Sequence, residues 1–531
     1  VKHPTMLQRI GGVLRGLTAL WTWSGGYSGG SRWGGTKFTG ADGYSSNWSL
    51  DHAQLRAKSR VAWWDSPEAR ALVTRLVDNA VNWGLTLEAA PSWDALDPKG
   101  AIPQETRRAW VKAVQIRFGL WANSTDADAS ARKTLYQLMG FTLLNELREG
   151  EVFAICRYSA DASLLNPLQL QYLNPDQVRD PTDGAMQTAA KVRGNRIVDG
   201  IEIDEAGKEI AIYVWDDATI GIGSSPSFKC VRIPQQGAKS GRPFYLHPAL
   251  TDAAGQVRGI PVIAHIIHEL KKLADYGIAE LEAAVINAIL AAWIVPSPTA
   301  RASKAFSGIA PRTKVQQEDD EADGVTRTGL VNKPGIVVQN LQAGEEISSF
   351  DTKRPNVNYA AYHDKVLSNI SISLGVPLSI VKMAFTQNYS ASRGEICFFW
   401  NAIDSLRYTF AAEFLNPVYE IAMTEWVRGS KIEAAGFIED VYLRRAWLNC
   451  EWTGINKPSI DPQKEAAAAD TRIAAGLSTR EREAKLYNGS EFDDNAAQLA
   501  LENAALAAAQ ESLQPPEPAP MQPEPRGEDR E

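Results

Sequence analysis

Apolar side chains that recur at spacings of three and four first appear between Arg60 and Leu87, where Ala69, Leu72, Val73, Leu76, Ala80 and Val81 share one helical face. Ser66 followed by Pro67 supplies an N-cap and a first-turn residue for that helix. Helical spacing returns around Arg107–Trp121 and again over Leu135–Glu149, where Gly150 stops it. The period then changes to two. EVFAICRY from Glu151, LQLQYL from Leu168, RIVDGIEID from Arg196, EIAIYVWD from Glu209 and CVRIP from Cys230 read as strands, parted by NPD, DPTDG and DEAGK turns. The first half of the chain is therefore predicted to be α+β.

One long helix is predicted from Pro261 to about Ile294, with Ile263, Ile266, Ile267, Leu270, Leu273, Ile278, Leu281, Val285, Ile289 and Trp293 on one stripe. At 1.5 Å per residue it extends roughly 50 Å. Gly277 inside it marks a bend or a close helix contact, or is simply tolerated at about 1 kcal/mol. Residues 296–355 lose periodicity and hold five prolines, the acidic run QEDDEAD and a short strand pattern, GIVVQNL, near Ile336. A return helix from about Asn356 to Leu374 aligns Tyr359, Tyr362, Val366, Ile370 and Leu374, and stops at Gly375–Pro377. After a polar loop from Leu378 to Ala391, Ser392 and Glu395 have capping-box spacing for a helix carrying Ile396, Phe399, Ile403, Leu406, Phe410 and Phe414, which Pro417 should kink or break.

The two ends differ from this body. Residues 24–50 are rich in Gly, Ser, Trp and Tyr with little aliphatic content, an arm expected to order only against a partner. From Asp461 to Glu511 the pattern is alanine-rich and helical, and the last twenty residues are Pro- and Glu-rich, as in disordered tails.

Composition narrows the function classes. The 531 residues suffice for two to four domains, and 44% hydrophobic with 22% charged residues argues against both wholesale disorder and a multi-span membrane protein. Cys156, Cys230, Cys397 and Cys450 lie far apart, which supports neither a zinc ribbon nor a disulfide framework and suits synthesis in a reducing cytoplasm. The apolar stretch from Ala283 to Val295 is shorter than the roughly 20 residues that cross a bilayer. Near the N-terminus, GGVLRGLTALWTW is interrupted by Arg15 and lacks a cleavage site, so export is not expected. A net charge of −8 is the wrong sign for gripping phosphates, so a DNA partner would be passed along rather than held.

Candidate chemistry is sparse. GAKSGRP at Gly237 has neither the spacing of a phosphate loop nor a following helix. His265 and His268 with Glu269 could face one way on the long helix, but the spacing is not HExxH and no third ligand presents itself, so no metal site is expected. Glu318, Asp319, Asp320, Glu321 and Asp323 suggest either a two-metal nuclease site or a solvated loop; a consecutive run converges poorly on one ion, which favours the loop. With no GxSxG, no Cys/His pair and six histidines, neither a catalytic site nor a cofactor is expected.

Several separated strings, taken in order from about residue 50 to 500, resemble the lambda-like phage portal family. They are SRVAWWDSPEARALVTRLVDNAVNWGLTL at Ser59, EGEVFAICRY at Glu149, LQLQYLNPDQV at Leu168, GQVRGIPVIAHIIHELKKLADYGIAELEAA at Gly255, GVPLSIV at Gly375, NYSASRGEI at Asn388, FLNPVYE at Phe414, then WTG at Trp452, IDPQKEAAA at Ile460 and GLSTRERE at Gly476. The chain departs from the family at DSP from Asp65, where an Arg-Asn-Asn-Pro string is usual, and at Trp63-Trp64.

The resemblance implies an α+β portal fold with wing, long helical stem, clip and mainly helical crown, in a ring usually of twelve copies at one capsid vertex. On that plan residues 1–58 are a flexible arm, 59–260 the wing, 261–295 and 356–377 the descending and returning stem helices, 296–355 the clip, 378–392 a tunnel loop, 393–428 a kinked wing helix, 429–511 the crown and 512–531 a disordered tail. Lys382, Gln387, Asn388 and Arg393 would then lie toward DNA, and the acidic residues Glu318 to Asp323 would form the docking surface of the clip. Ser392 as a helix cap and Arg393 paired with a ring neighbour are the local alternatives. Implied partners are double-stranded DNA in transit, the terminase large subunit, major capsid and scaffold proteins, and head-completion or tail connector proteins, without a membrane. The implied location is the virion, after assembly in the host cytoplasm. A closed ring needs a different surface toward each neighbour, and the Trp/Gly arm is a candidate for reaching across. A metal-dependent packaging nuclease and a tail or baseplate component are the alternatives.

Overall fold

The computed structural model describes residues 52–216, 229–289, 293–295, 346–348, 358–384, 389–455, 457 and 462–513. The first helical stretch is two helices, α1 (His52–Asp65) and α2 (Pro67–Ala80), with Ser66 between them. The Ser66 hydroxyl accepts the Ala69 N–H at 3.2 Å and donates to Glu68 at 2.8 Å, so it caps α2 as expected. α1 begins at His52, inside the segment expected to be an arm, and α2 ends at Ala80 instead of continuing to Leu87. Asn82 takes a left-handed conformation (φ 51°) and Gly84 a φ of 134°, turning the chain into strand β1 (Thr86–Ala89). A Cβ on Gly84 would fall 2.4 Å from the Tyr136 ring, so glycine is required there.

Helices α3 (Trp93–Leu96), α4 (Gln104–Asn123) and α5 (Leu135–Glu149) follow, and Gly150 at φ 89° ends α5 as the pattern predicts. Then come β2 (Phe153–Tyr158), β3 (Leu168–Leu173), helix α6 (Gly184–Val192), β4 (Arg196–Val198), β5 (Ile201–Ile203), β6 (Glu209–Asp216), β7 (Lys229–Pro234) and β8 (Tyr245–Leu246). They form a three-stranded sheet ordered β3-β2-β8 and a four-stranded sheet ordered β4-β5-β6-β7, with every pairing antiparallel. RIVDGIEID is not one strand: Asp199 and Gly200, both at positive φ, fold it into the β4–β5 hairpin. The Asp183 side chain, read as part of a turn, accepts the Ala185 N–H at 2.8 Å and starts α6.

The long helix expected over 261–294 is shorter. α7 spans Ile267–Ile289, 23 residues and about 35 Å. Ahead of it Pro261 to Ile266 wind in tight turns, with Ala264 N–H on Pro261 C=O at 2.9 Å, and Ile263, Ala264 and Ile266 are buried there. Beyond it Trp293–Val295 is a strand, β9, paired with β10 (Glu346–Ser348). Branched Ile294 and Val295 before Pro296 suit a strand better than a helix end. The return helix α8 (Tyr359–Ser373) meets α7 through Tyr276, which stacks on Tyr359 at 5.5 Å and lies edge-on to Tyr362 at 4.7 Å. Gly277 sits at this crossing, and α7 runs through it unbroken. A Cβ there would touch the Tyr359 hydroxyl at 3.4 Å, an ordinary contact.

Part of the expected polar loop is helical, as α9 (Leu378–Lys382). α10 (Tyr389–Phe410) starts before Ser392, which is therefore inside the helix and is not its cap. α10 passes through a π-helical turn (Ala411–Leu415) into α11 (Asn416–Arg428), with Pro417 in the first turn of α11. The widened turn absorbs the missing N–H and the ring of Pro417, so the chain stays helical where a break was the alternative. α12 (Val441–Leu448), strand β11 (Cys450–Thr453), α13 (Pro462–Ala474), α14 (Arg480–Asn488) and α15 (Phe492–Leu513) complete the described chain, and β11 pairs antiparallel with β1.

The chain divides into two units. One contains Val1–Arg75, Asn145–Glu151 and Ala249–Thr386, the other Leu76–Leu144, Val152–Pro248 and Gln387–Glu531. In the first, Leu55 of α1 packs with Ile260 and Ala264. In the second, Phe118 and Trp121 of α4 lie edge-to-face at 5.7 Å, and between them they meet Tyr419 and Trp426 of α11 edge-to-face at 6.0–6.5 Å.

Candidate DNA-channel segment

The segment expected to line a channel begins where α8 ends. Gly375 at φ 68° reverses the chain, the Val376 N–H returns to Ser371 C=O at 3.0 Å, and Val376 is buried, so the turn is anchored before Pro377 starts α9. α9 ends on Met383 at φ 53°, with the Ala384 N–H on Ser379 C=O at 3.0 Å. Lys382, in the last turn of α9, forms an ion pair with Asp364 of α8. That contact and the neighbouring His363 hold the Asp364 carboxyl below its ordinary range. In the single chain Lys382 is thus tied back to α8. Arg393 is exposed near the start of α10. Gln387 and Asn388 lie outside the described residues, as do Glu318, Asp319, Asp320, Glu321 and Asp323.

His265 is exposed, and partial desolvation holds its pKa below the ordinary histidine value against opposing effects of Asp252 and the Ser373 backbone. Among the described residues no group of three or more His, Cys, Asp or Glu is placed to hold a metal ion.

One polar cluster was not anticipated. Glu151, fully buried after α5, accepts from Arg56 of α1 at 3.0 Å, from Arg258 at 2.5–2.8 Å and from the Gly259 N–H at 3.1 Å. Arg56 and Arg258 are themselves buried, so these charges are stabilised by close pairing rather than by water. Glycine makes the approach possible: a Cβ on Gly259 would lie 1.9 Å from the Gly150 oxygen. Ser59 donates to Arg148 C=O at 2.6 Å, and Arg60 pairs with Glu149 at 2.7 Å, so α1 is fastened along its length to the end of α5 and to the chain that leads into α7. The signal available in sequence was the pair of strings EGE and RG, charges set beside glycines in otherwise apolar surroundings.

The model of the family described as phage portal protein, lambda family, matches residues 31–407. The chain belongs to that family of phage portal proteins. It is similar to portal protein B of Escherichia phage lambda, with 23% identity over 449 residues that cover 83% of this chain and 81% of that protein. The portal protein of Escherichia phage N15 is similar at the same identity and coverage, 23%, 83% and 81%. Among solved structures, a chain from the neck of a native GTA particle computed with C12 symmetry shares 13% identity at a TM-score of 0.36, over 74% of this chain and 94% of that one. A chain from the virion of a native gene transfer agent particle shares 11% at a TM-score of 0.37, over 82% and 92%. No described helix is long and apolar enough to cross a membrane.

Proposed function

We propose that the chain is the non-catalytic subunit of a ring, of about twelve copies, that forms the DNA channel at one vertex of a phage head. In this role it nucleates the procapsid, docks the terminase during genome packaging, joins head to tail and lets DNA leave. The family match over residues 31–407 carries the reading. The apolar stripe of α7 also supports it: Ile278, Leu281 and Val285 are exposed in the single chain, as expected of a helix covered by a neighbouring copy. A net charge of −8 suits a conduit that lets DNA slide, with Lys382, Gln387, Asn388 and Arg393 as weak contacts and the acidic residues 318–323 as a docking surface.

Negative-stain microscopy with mass determination on the purified protein is the test. Near-twelvefold rings with a central hole are expected; a stable monomer or dimer across salt conditions would count against the ring. Mg²⁺-dependent DNA cleavage lost in Asp319→Ala/Asp320→Ala would instead establish a nuclease.

A further inference from the structure

Helix α1 buries one face and leaves an apolar stripe exposed on the other. His52, Leu55, Arg56, Ser59 and Trp63 make its buried face. Ala53, Ala57, Val61 and Trp64 fall within about 80° of one another on the opposite side, and all four are exposed. Trp64 is 70% exposed and Val61 58%. Gln54 and Asp65 border this stripe on one side and Arg60 on the other. A surface helix ordinarily carries polar side chains there, and a contiguous apolar stripe with a polar rim marks an interaction site.

The chain outside the described structure ends directly on this helix. Of the 51 residues before His52, segment 24–50 carries Tyr27, Trp33, Phe38, Tyr44 and Trp48, parted by Gly and Ser. Such a segment has too little aliphatic content for a core of its own, whereas aromatic rings bring large contact areas to a stripe that ends in an exposed indole. Fully extended, the segment spans at most about 97 Å, a reach well beyond the helix it adjoins.

We propose that the α1 stripe of one copy is the docking site for segment 24–50 of a neighbouring copy. This rests on the reading that the chain assembles in several copies. The test places a benzophenone amino acid at position 64, in full-length protein assembled from an equal mixture of isotopically light and heavy copies. Because Trp64 is exposed, the replacement does not disturb the core. Illumination is expected to give light–heavy cross-links from position 64 to peptides within residues 24–50, and Val61→Glu in the same protein to lower their yield at least tenfold. Cross-links confined to one copy, cross-links to other segments, or none in an assembled ring would overturn the proposal. A preparation that is monomeric by mass would overturn the assembly reading, and this one with it.

Discussion

Glu202 is fully buried in the four-stranded sheet. Burial alone would raise its pKa. Hydrogen bonds from Arg232 at 2.6 Å, Arg193 at 3.0 Å, Asn195 at 2.7 Å and Tyr213 at 3.0 Å outweigh that and hold it down to about 2. The folded state therefore binds this proton less readily than the unfolded chain does. The stability it contributes, on the order of 3 kcal/mol, is present above the ordinary glutamate range and is lost as pH falls from about 4.5 toward 2. Urea unfolding of the native protein and of Glu202→Gln should accordingly show a gap that is widest above pH 5 and narrows through that window. A gap that stays constant with pH would mean that the cluster does not store its energy in the ionised carboxylate. None of this was legible from IEID: alternation placed a glutamate in a strand, but its partners come from residues 193, 195, 213 and 232.

At the scale of elements, side chains from distant parts of the chain decide where helices end. Arg407 of α10 donates to Ala80 C=O at 2.7 Å and to Asn79 C=O at 2.9 Å, closing the last turn of α2, and reaches Ile455 C=O at 2.6 Å. Its guanidinium also lies 5.4 Å over the Trp400 ring. A cation at a helix C-terminus satisfies carbonyls that have no partner within the helix and complements the dipole. Arg407→Ala is expected to cost about 2 kcal/mol in chemical denaturation, and to speed hydrogen exchange in the last turn of α2 more than elsewhere. Unchanged protection there would show that the cap is dispensable. The apolar spacing of α2 was readable, but its end was not, since the cap arrives from more than three hundred residues away. The same applies at Pro417, where sequence announced a disturbance and packing of Phe414, Val418 and Tyr419, all buried, kept the helix going through a wide turn.

At the scale of the whole molecule, the single chain leaves apolar surface that its own fold does not cover. Leu281, on the outer stripe of α7, is 66% exposed. Leu281→Asp should leave the unfolding of the isolated chain within about 0.5 kcal/mol, because little is buried there to lose. On the ring reading it removes a buried leucine and adds a desolvated charge at the subunit contact, so the assembled share measured by mass photometry should fall at least about tenfold. Rings formed as readily as by the native protein would exclude this stripe from the contact.

Periodicity and punctuation by themselves determined that helices and strands alternate as they do, that α5 stops at Gly150, that LQLQYL and EIAIYVWD are strands, and that one helix, α7, precedes residues 296–355 and another, α8, follows them. These are local consequences of side-chain spacing, glycine and proline, so they survive without knowledge of neighbours. Tertiary structure alone decided that 261–266 are turns rather than helix, that Lys382 is tied to Asp364, that Glu151 gathers Arg56 and Arg258, and that β1 pairs with β11. Each of these depends on groups distant in sequence meeting where water is excluded, and the free energy of such meetings is absent from any local window of the chain.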